Sequence, residues 1–269
     1  MNIEKMDIAL IQRILKYQNI FKSLKENEPE LLIIPDNYII TLDIRNNMIK
    51  WLIFLCKTLH FNFQTLLRAK IIFDKYISKI NFDETLSQEK LNLITISCLS
   101  IATKIEEINC NYVSFFTEKV LNMPDYQVFT VKDLTKMEID ILKELKYKTI
   151  YTTSVDFVEL YFGLFKIFFK VDEKFIKNTR IICERIMEEN ITNSSFVRTS
   201  ESEYAFLCFN QVLIQLGMIN NNYLIIMKNI LINSEKKPFT NILNHSNEKI
   251  NKINDVVSYN LFYKRRNNE

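Results

Sequence analysis

The stretch ISCLSIATKIEEI, from Ile96 to Ile108, runs through eight small or apolar residues and then closes on Lys104, Glu106 and Glu107. Eight such residues in a row cover every face of two helical turns, so the segment reads as a helix enclosed by its neighbours. Its serines, cysteine and alanine permit close approach. Ser87 upstream is a suitable N-cap, which places the helix over 88–107. A buried helix that ends in a lysine and two acids poses a question, because charges are costly to bury without partners.

Working outward, the same punctuation defines the rest of the chain. An opening helix sets Ile8, Ile11 and Leu15 on one face and ends before Pro29 and Pro35. A second starts near Asp43 and carries Ile44, Met48, Trp51 and Leu55 on one side. A third runs from about Thr65 to Ser78. After the central helix, a fifth is expected over about Val113–Leu121, stopping before Pro124. TVKD, at Thr130–Asp133, has capping-box spacing and opens a sixth that reaches Leu145. The pattern then repeats: TSVD starts a helix at Thr153, Asp172 starts another to about Asn190, and SESE at Ser200 caps a third that ends near Gly217. That last helix, YAFLCFNQVLIQL, is again apolar nearly all round. The expected organisation is an N-terminal helix and linker (1–42), one helical unit (43–150) and a second (151–269), each unit of about five helices.

Composition agrees with an all-α class. Only two glycines and four prolines occur in 269 residues, too few for a protein rich in tight turns. The formal charge of +3 is too small to argue for nucleic acid. Cys56, Cys98, Cys110, Cys183 and Cys208 show no paired spacing and read as reduced core residues, in keeping with the nucleus or cytoplasm. Glu4 and Asp7 interrupt any apolar run at the start, and LYFGLFKIFF (Leu160–Phe169) is too short to span a bilayer, so neither a secretory signal nor a membrane partner is expected. With two glycines, neither a dinucleotide fingerprint nor a phosphate loop can be written. His60 and His245 lack cysteine or carboxylate neighbours at metal spacing, so no metal, cofactor or catalytic residue is expected.

The segments DIRNNMIKWL, FDKYIS, LNLITISCLSIATKIEE and VKDLTKMEIDILKEL, in this order and spacing, resemble the signature of a cyclin box. Arg45, Asp74, Leu93, Lys104 and Glu138 fall on its five defining positions. The likeness covers residues 1–151 well, including the leading helix and PDNYI, which is similar to A- and B-type cyclins. Beyond Tyr151 it rests on helix pattern alone. From the residues themselves, Arg45 and Asp74 form a charged pair able to pin successive helices, and Leu93 is an ordinary core leucine. Lys104 and Glu138 either pair with each other or face a partner's backbone, the lysine donating to carbonyls and the carboxylate accepting from amides.

The resemblance implies two tandem cyclin-box repeats and a regulatory subunit, not an enzyme, that binds and activates a cyclin-dependent protein kinase in cell-cycle control. It implies kinase contacts at Lys104, Glu138, Ile105 and Leu142. The alternatives are a transcriptional-type cyclin, or a kinase-independent helical adaptor of the same fold, as in DNA-binding general transcription factors. The adaptor needs a basic face, and only YKRR (Tyr263–Arg266) is densely basic.

Many A-type and related cyclins also dock Arg-x-Leu peptides on the first box helix. Here those positions read Ile44, Asn47, Met48 and Trp51, with Asn92 beside them. Lys50 and Phe54 stand where the family has acids. Basic Arg-x-Leu peptides are therefore expected to be rejected in favour of apolar or acidic motifs. Lys25–Glu26–Asn27 matches a short degradation signal, although it joins the first helix to the box.

Overall fold

The computed structural model describes residues 8–32, 40–80, 86–108, 129–169 and 171–218. Among these, every regular element is a helix: α1 (Ile8–Glu26), α2 (Leu42–Thr58), α3 (Phe63–Ile77), α4 (Gln88–Glu106), α5 (Val131–Glu144), α6 (Ser154–Phe169), α7 (Glu173–Asn190), α8 (Ser194–Val197) and α9 (Glu201–Gln215). The helix expected over 113–121, Cys110, and everything after Met218, including His245 and Tyr263–Arg266, lie outside the described residues.

The N-termini sit where side chains can replace missing intrahelical partners. Thr41 accepts from the Ile44 amide at 3.3 Å, Ser87 from Lys90 at 3.2 Å and Asp172 from Phe175 at 2.6 Å. Thr130 and Asp133 close a full capping box on α5.

α4 is the strut of the first repeat. Every residue from Ile94 to Thr103 is buried, and the helix packs mainly on α3 and α5, then α2. The hydroxyls of Thr95 and Thr103 donate to the carbonyls of Leu91 and Ser100, so they enter the core satisfied. α9 plays the same part in the second repeat. Its Phe209 meets Tyr161, Phe162 and Phe165 of α6 at centroid separations of 5.7, 5.1 and 6.1 Å. Burying each ring contributes about 2 kcal/mol. Cys56, Cys98, Cys183 and Cys208 are free and buried. Burial first, then Glu107 and Glu188, pushes the Cys56 thiol up to about 12, which makes it a packing group and not a nucleophile.

Contacts group Ser23–Val212 into one compact unit, and the described residues 8–22 and 213–218 belong to a second. The junction expected at Tyr151 lies inside the larger unit. There the Thr152 amide donates to the Asn27 carbonyl at 2.9 Å, and Arg68 donates to the Tyr151 carbonyl.

Candidate functional site

The charges that close α4 go three ways. Glu106 accepts from Arg68 Nε at 2.7 Å and Nη2 at 2.6 Å, on α3. Glu107 accepts from the Asn62 amide at 2.8 Å, Asn62 Nδ2 at 2.9 Å and Thr65 Oγ1 at 2.5 Å. Asn62 is the N-cap of α3 and makes no capping bond of its own, so the Glu107 carboxylate serves the positive end of that helix. Both acids therefore turn inward as anchors for α3. The sequence reading did not assign them this part.

Lys104 alone turns the other way. Its Nζ donates to both carboxylate oxygens of Glu138, at 2.6 and 2.7 Å. The capping box fixes where α5 begins, and so places Glu138 in its third turn, level with the end of α4. The pair is asymmetric: 39% of the Lys104 side chain is accessible and 11% of Glu138. With two of its three donors on a nearly dry carboxylate, the wet ammonium has, among the described residues, one donor left to turn outward.

The pair has an apolar surround. Ile105 is 37% exposed and Leu142 is half-buried. Ile139, 44% exposed on α5, and Ile108, almost fully exposed just beyond α4, were not singled out from sequence. A position one step round from the buried Glu138 was the available signal.

Of the other box positions, Arg45 and Asp74 join α2 to α3 through two bonds of 2.7 Å, from Nε to Oδ1 and from Nη2 to Oδ2. Arg45 also donates to Asn46. Burial alone would lower the Arg45 pKa, but the charge and hydrogen bonds of Asp74 outweigh it and raise the value. Lys70 lies 3.9 Å from Asp74 and 2.7 Å from Glu201, whose second oxygen takes the Ser154 amide at the start of α6. Leu93 departs from expectation. It is half-buried, because α4 emerges from the bundle over its first turns, where Gln88, Glu89 and Lys90 are exposed.

On α2, Met48 is buried, Ile44 and Trp51 are half-buried, and Asn47 and Lys50 are exposed. Half-buried Asn92 accepts from Gln88 at 2.8 Å. Phe54 is 54% exposed. Lys25 and Asn27 are engaged in the fold. Lys25 pairs with Glu28 and donates to Ser202 at 3.2 Å, while Asn27 donates to the Ser23 carbonyl. Among the described residues, no group of three or more His, Cys, Asp or Glu is placed to hold a metal, and no helix is long and apolar enough to cross a membrane.

Comparison with known proteins gives this arrangement a family. The family model described as "Cyclin, N-terminal domain" matches residues 16–150, half of the chain. Cyclin-D3-1 of Arabidopsis thaliana is 30% identical over 138 residues, which are 50% of this chain and 34% of that one. Putative cyclin-F3-1 of Oryza sativa subsp. japonica is 29% identical over 120 residues, 45% and 28% of the two chains. The G2/mitotic-specific cyclin C13-1 of Daucus carota is 30% identical over 137 residues, 48% and 38%. The chain thus spans roughly a third of the length of the curated relatives it matches. The X-ray structure of a viral cyclin from herpesvirus saimiri superposes with a TM-score of 0.61 at 19% identity, over 93% of this chain and 95% of that one, so the two share a fold. The matched residues include Arg45, Asp74, Lys104 and Glu138 in the pairs described above, and the chain belongs to the cyclin family.

Proposed function

We propose that this cyclin is a regulatory subunit that binds and activates a cyclin-dependent protein kinase, in cell-cycle control, in the nucleus or cytoplasm. The observation that carries the reading is the Lys104–Glu138 pair, set at the surface where the end of α4 meets the third turn of α5, with exposed Ile105 next to Lys104. Charged hydrogen-bonding groups within an apolar border suit a partner that offers backbone carbonyls and amides along with apolar side chains. Docked there, the cyclin holds the C-helix of the kinase small lobe inward and so completes the lysine–glutamate pair that positions ATP. Activation follows from linkage, because the interface forms favourably only with the active conformation. The "G2/mitotic-specific" name of one relative supports the cell-cycle assignment.

Affinity capture from the native cell tests the reading. Wild-type chain should recover a kinase that phosphorylates a histone substrate. Lys104→Glu and Glu138→Lys should each lose it while circular dichroism remains helical, since a mispaired charge at a desolvated interface costs several kcal/mol. Recovery of no kinase by the wild type overturns the proposal. Unfolding of both variants would make the pair a structural one.

A further inference from the structure

The exposed side of α5 segregates its charges. With about 100° between successive residues, Lys132, Lys136, Ile139 and Lys143 fall within an arc of roughly 60°, while Asp133, Asp140 and Glu144 share a neighbouring arc of roughly 40°. The lysine arc lies on the far side of Val131, Thr135 and Leu142 from the Lys104–Glu138 pair, so it continues the surface already described. All three lysines are exposed, and on the helix they lie to one side of exposed Ile139, a basic strip with an apolar edge. Asp133 is engaged by Thr130, whose hydrogen bonds, followed by the charge of Lys136, hold its carboxyl below the usual range.

The helix accounts for two of the three lysines only in part: Lys143 lies in the last turn, where the dipole favours a cation, and Lys136 is spaced to meet Asp133 and Asp140. Lys132 sits in the first turn, where the helix dipole disfavours a cation. Lys132 and Lys136 are a like-charged i,i+4 pair, which disfavours the helix further. Among the described residues, the three ammonium groups make no hydrogen bond or close ion pair, and only the charge of Lys136 acts on Asp133.

We infer that the kinase surface facing α5 is acidic beside an apolar recess for Ile139, and that Lys132, Lys136 and Lys143 select and steer that partner. This rests on the kinase-binding reading above. A standard interface covers about 800 Å² on each partner, wide enough to reach the next arc of the same helix from Glu138. Lysines at the rim act chiefly on encounter, so their effect belongs in the association rate and its salt dependence.

The test uses the full chain and the purified kinase whose capture depends on Lys104 and Glu138. Association and dissociation rates are measured by surface plasmon resonance at low and high ionic strength. Replacing all three lysines together (Lys132→Gln, Lys136→Gln, Lys143→Gln) should slow association about tenfold at low salt, flatten its salt dependence and leave dissociation nearly unchanged. Asp140→Lys, which extends the strip, should speed association. If the triple variant keeps the wild-type association rate and salt slope while Lys104→Glu still abolishes binding, the strip is a solvated face and the kinase reading stands without it. If no kinase binds the wild type, both readings fall together.

Discussion

Arg45 and Lys104 are both cations held on one carboxylate, yet burial makes them different devices. The Arg45 side chain is fully buried and bonded twice to Asp74. Losing one partner of such a pair costs about 3–5 kcal/mol, because the other is left charged in the core. The Lys104 pair keeps its cation 39% accessible, so its outward donor can be shared with a partner without taking the ammonium out of water. We propose that Lys50 uses the same logic for rejection. It stands exposed on α2 beside half-buried Trp51, where an Arg-x-Leu arginine would need a carboxylate. We predict that a fluorescence-labelled Arg-x-Leu peptide shows no saturable anisotropy change in the micromolar range, and that Lys50→Glu improves binding tenfold or more, equivalent to about 1.4 kcal/mol. Tight wild-type binding that is lost on changing Trp51 would show that the groove accepts basic motifs despite Lys50.

Helix beginnings and helix endings in this chain are written in different alphabets. N-caps need a side-chain oxygen, so Ser87, Thr130, Asp172 and Ser200 could be read in advance, whereas Thr41 caps a helix that the sequence pattern starts near Asp43. Helix ends that close through a residue of positive φ usually use glycine, and the chain has only two; α3 and α4 end without such a residue. Non-glycine residues therefore fill the position. His60 has φ 56° and Lys146 φ 51°, each followed by an amide that reaches back five residues, Phe61 to Cys56 at 2.9 Å and Tyr147 to Leu142 at 2.7 Å. α9 closes the same way on Gly217, with φ 66° and Met218 bonded to Leu213 at 3.0 Å. Side chains in that region cost about 1 kcal/mol. His60→Gly should accordingly raise stability in urea titration by about 0.5–1 kcal/mol, and Gly217→Ala should lower it by a similar amount. A Cβ on Gly217 meets nothing within 4 Å, so that loss would report backbone strain alone. Destabilisation by His60→Gly would show that the imidazole packs for the fold. The candidate site divides along the same line. Lys104 and Glu138 could be matched to family positions, whereas the inward turn of Glu106 and Glu107 depends on α3, some forty residues earlier, and no local pattern announces it.

Across the larger unit, α3 ties the two repeats together, and the ties are polar. Lys70 reaches Glu201 at 2.7 Å, and Gln64 accepts from Thr153 at 3.0 Å. From before the box, Glu28 accepts from the Ser202 amide at 2.6 Å. Glu201 is the tightest knot, buried to 5% exposure with one oxygen on Lys70 and the other on the Ser154 amide. Such contacts are short in number but expensive to leave half-made, since each orphaned group stays desolvated. If Ser23–Val212 unfolds as one cooperative body, damage at Glu201 must be felt on both sides of Tyr151. Glu201→Ala should cost about 3 kcal/mol, leaving the Lys70 ammonium and the start of α6 uncompensated. Calorimetry should still give a single transition for the unit, moved to lower temperature. Amide exchange should accelerate in α3 and α4 as much as in α6 and α9. Exchange that quickens only from α6 onward would mean that the repeats unfold independently and that the polar ties merely decorate their junction.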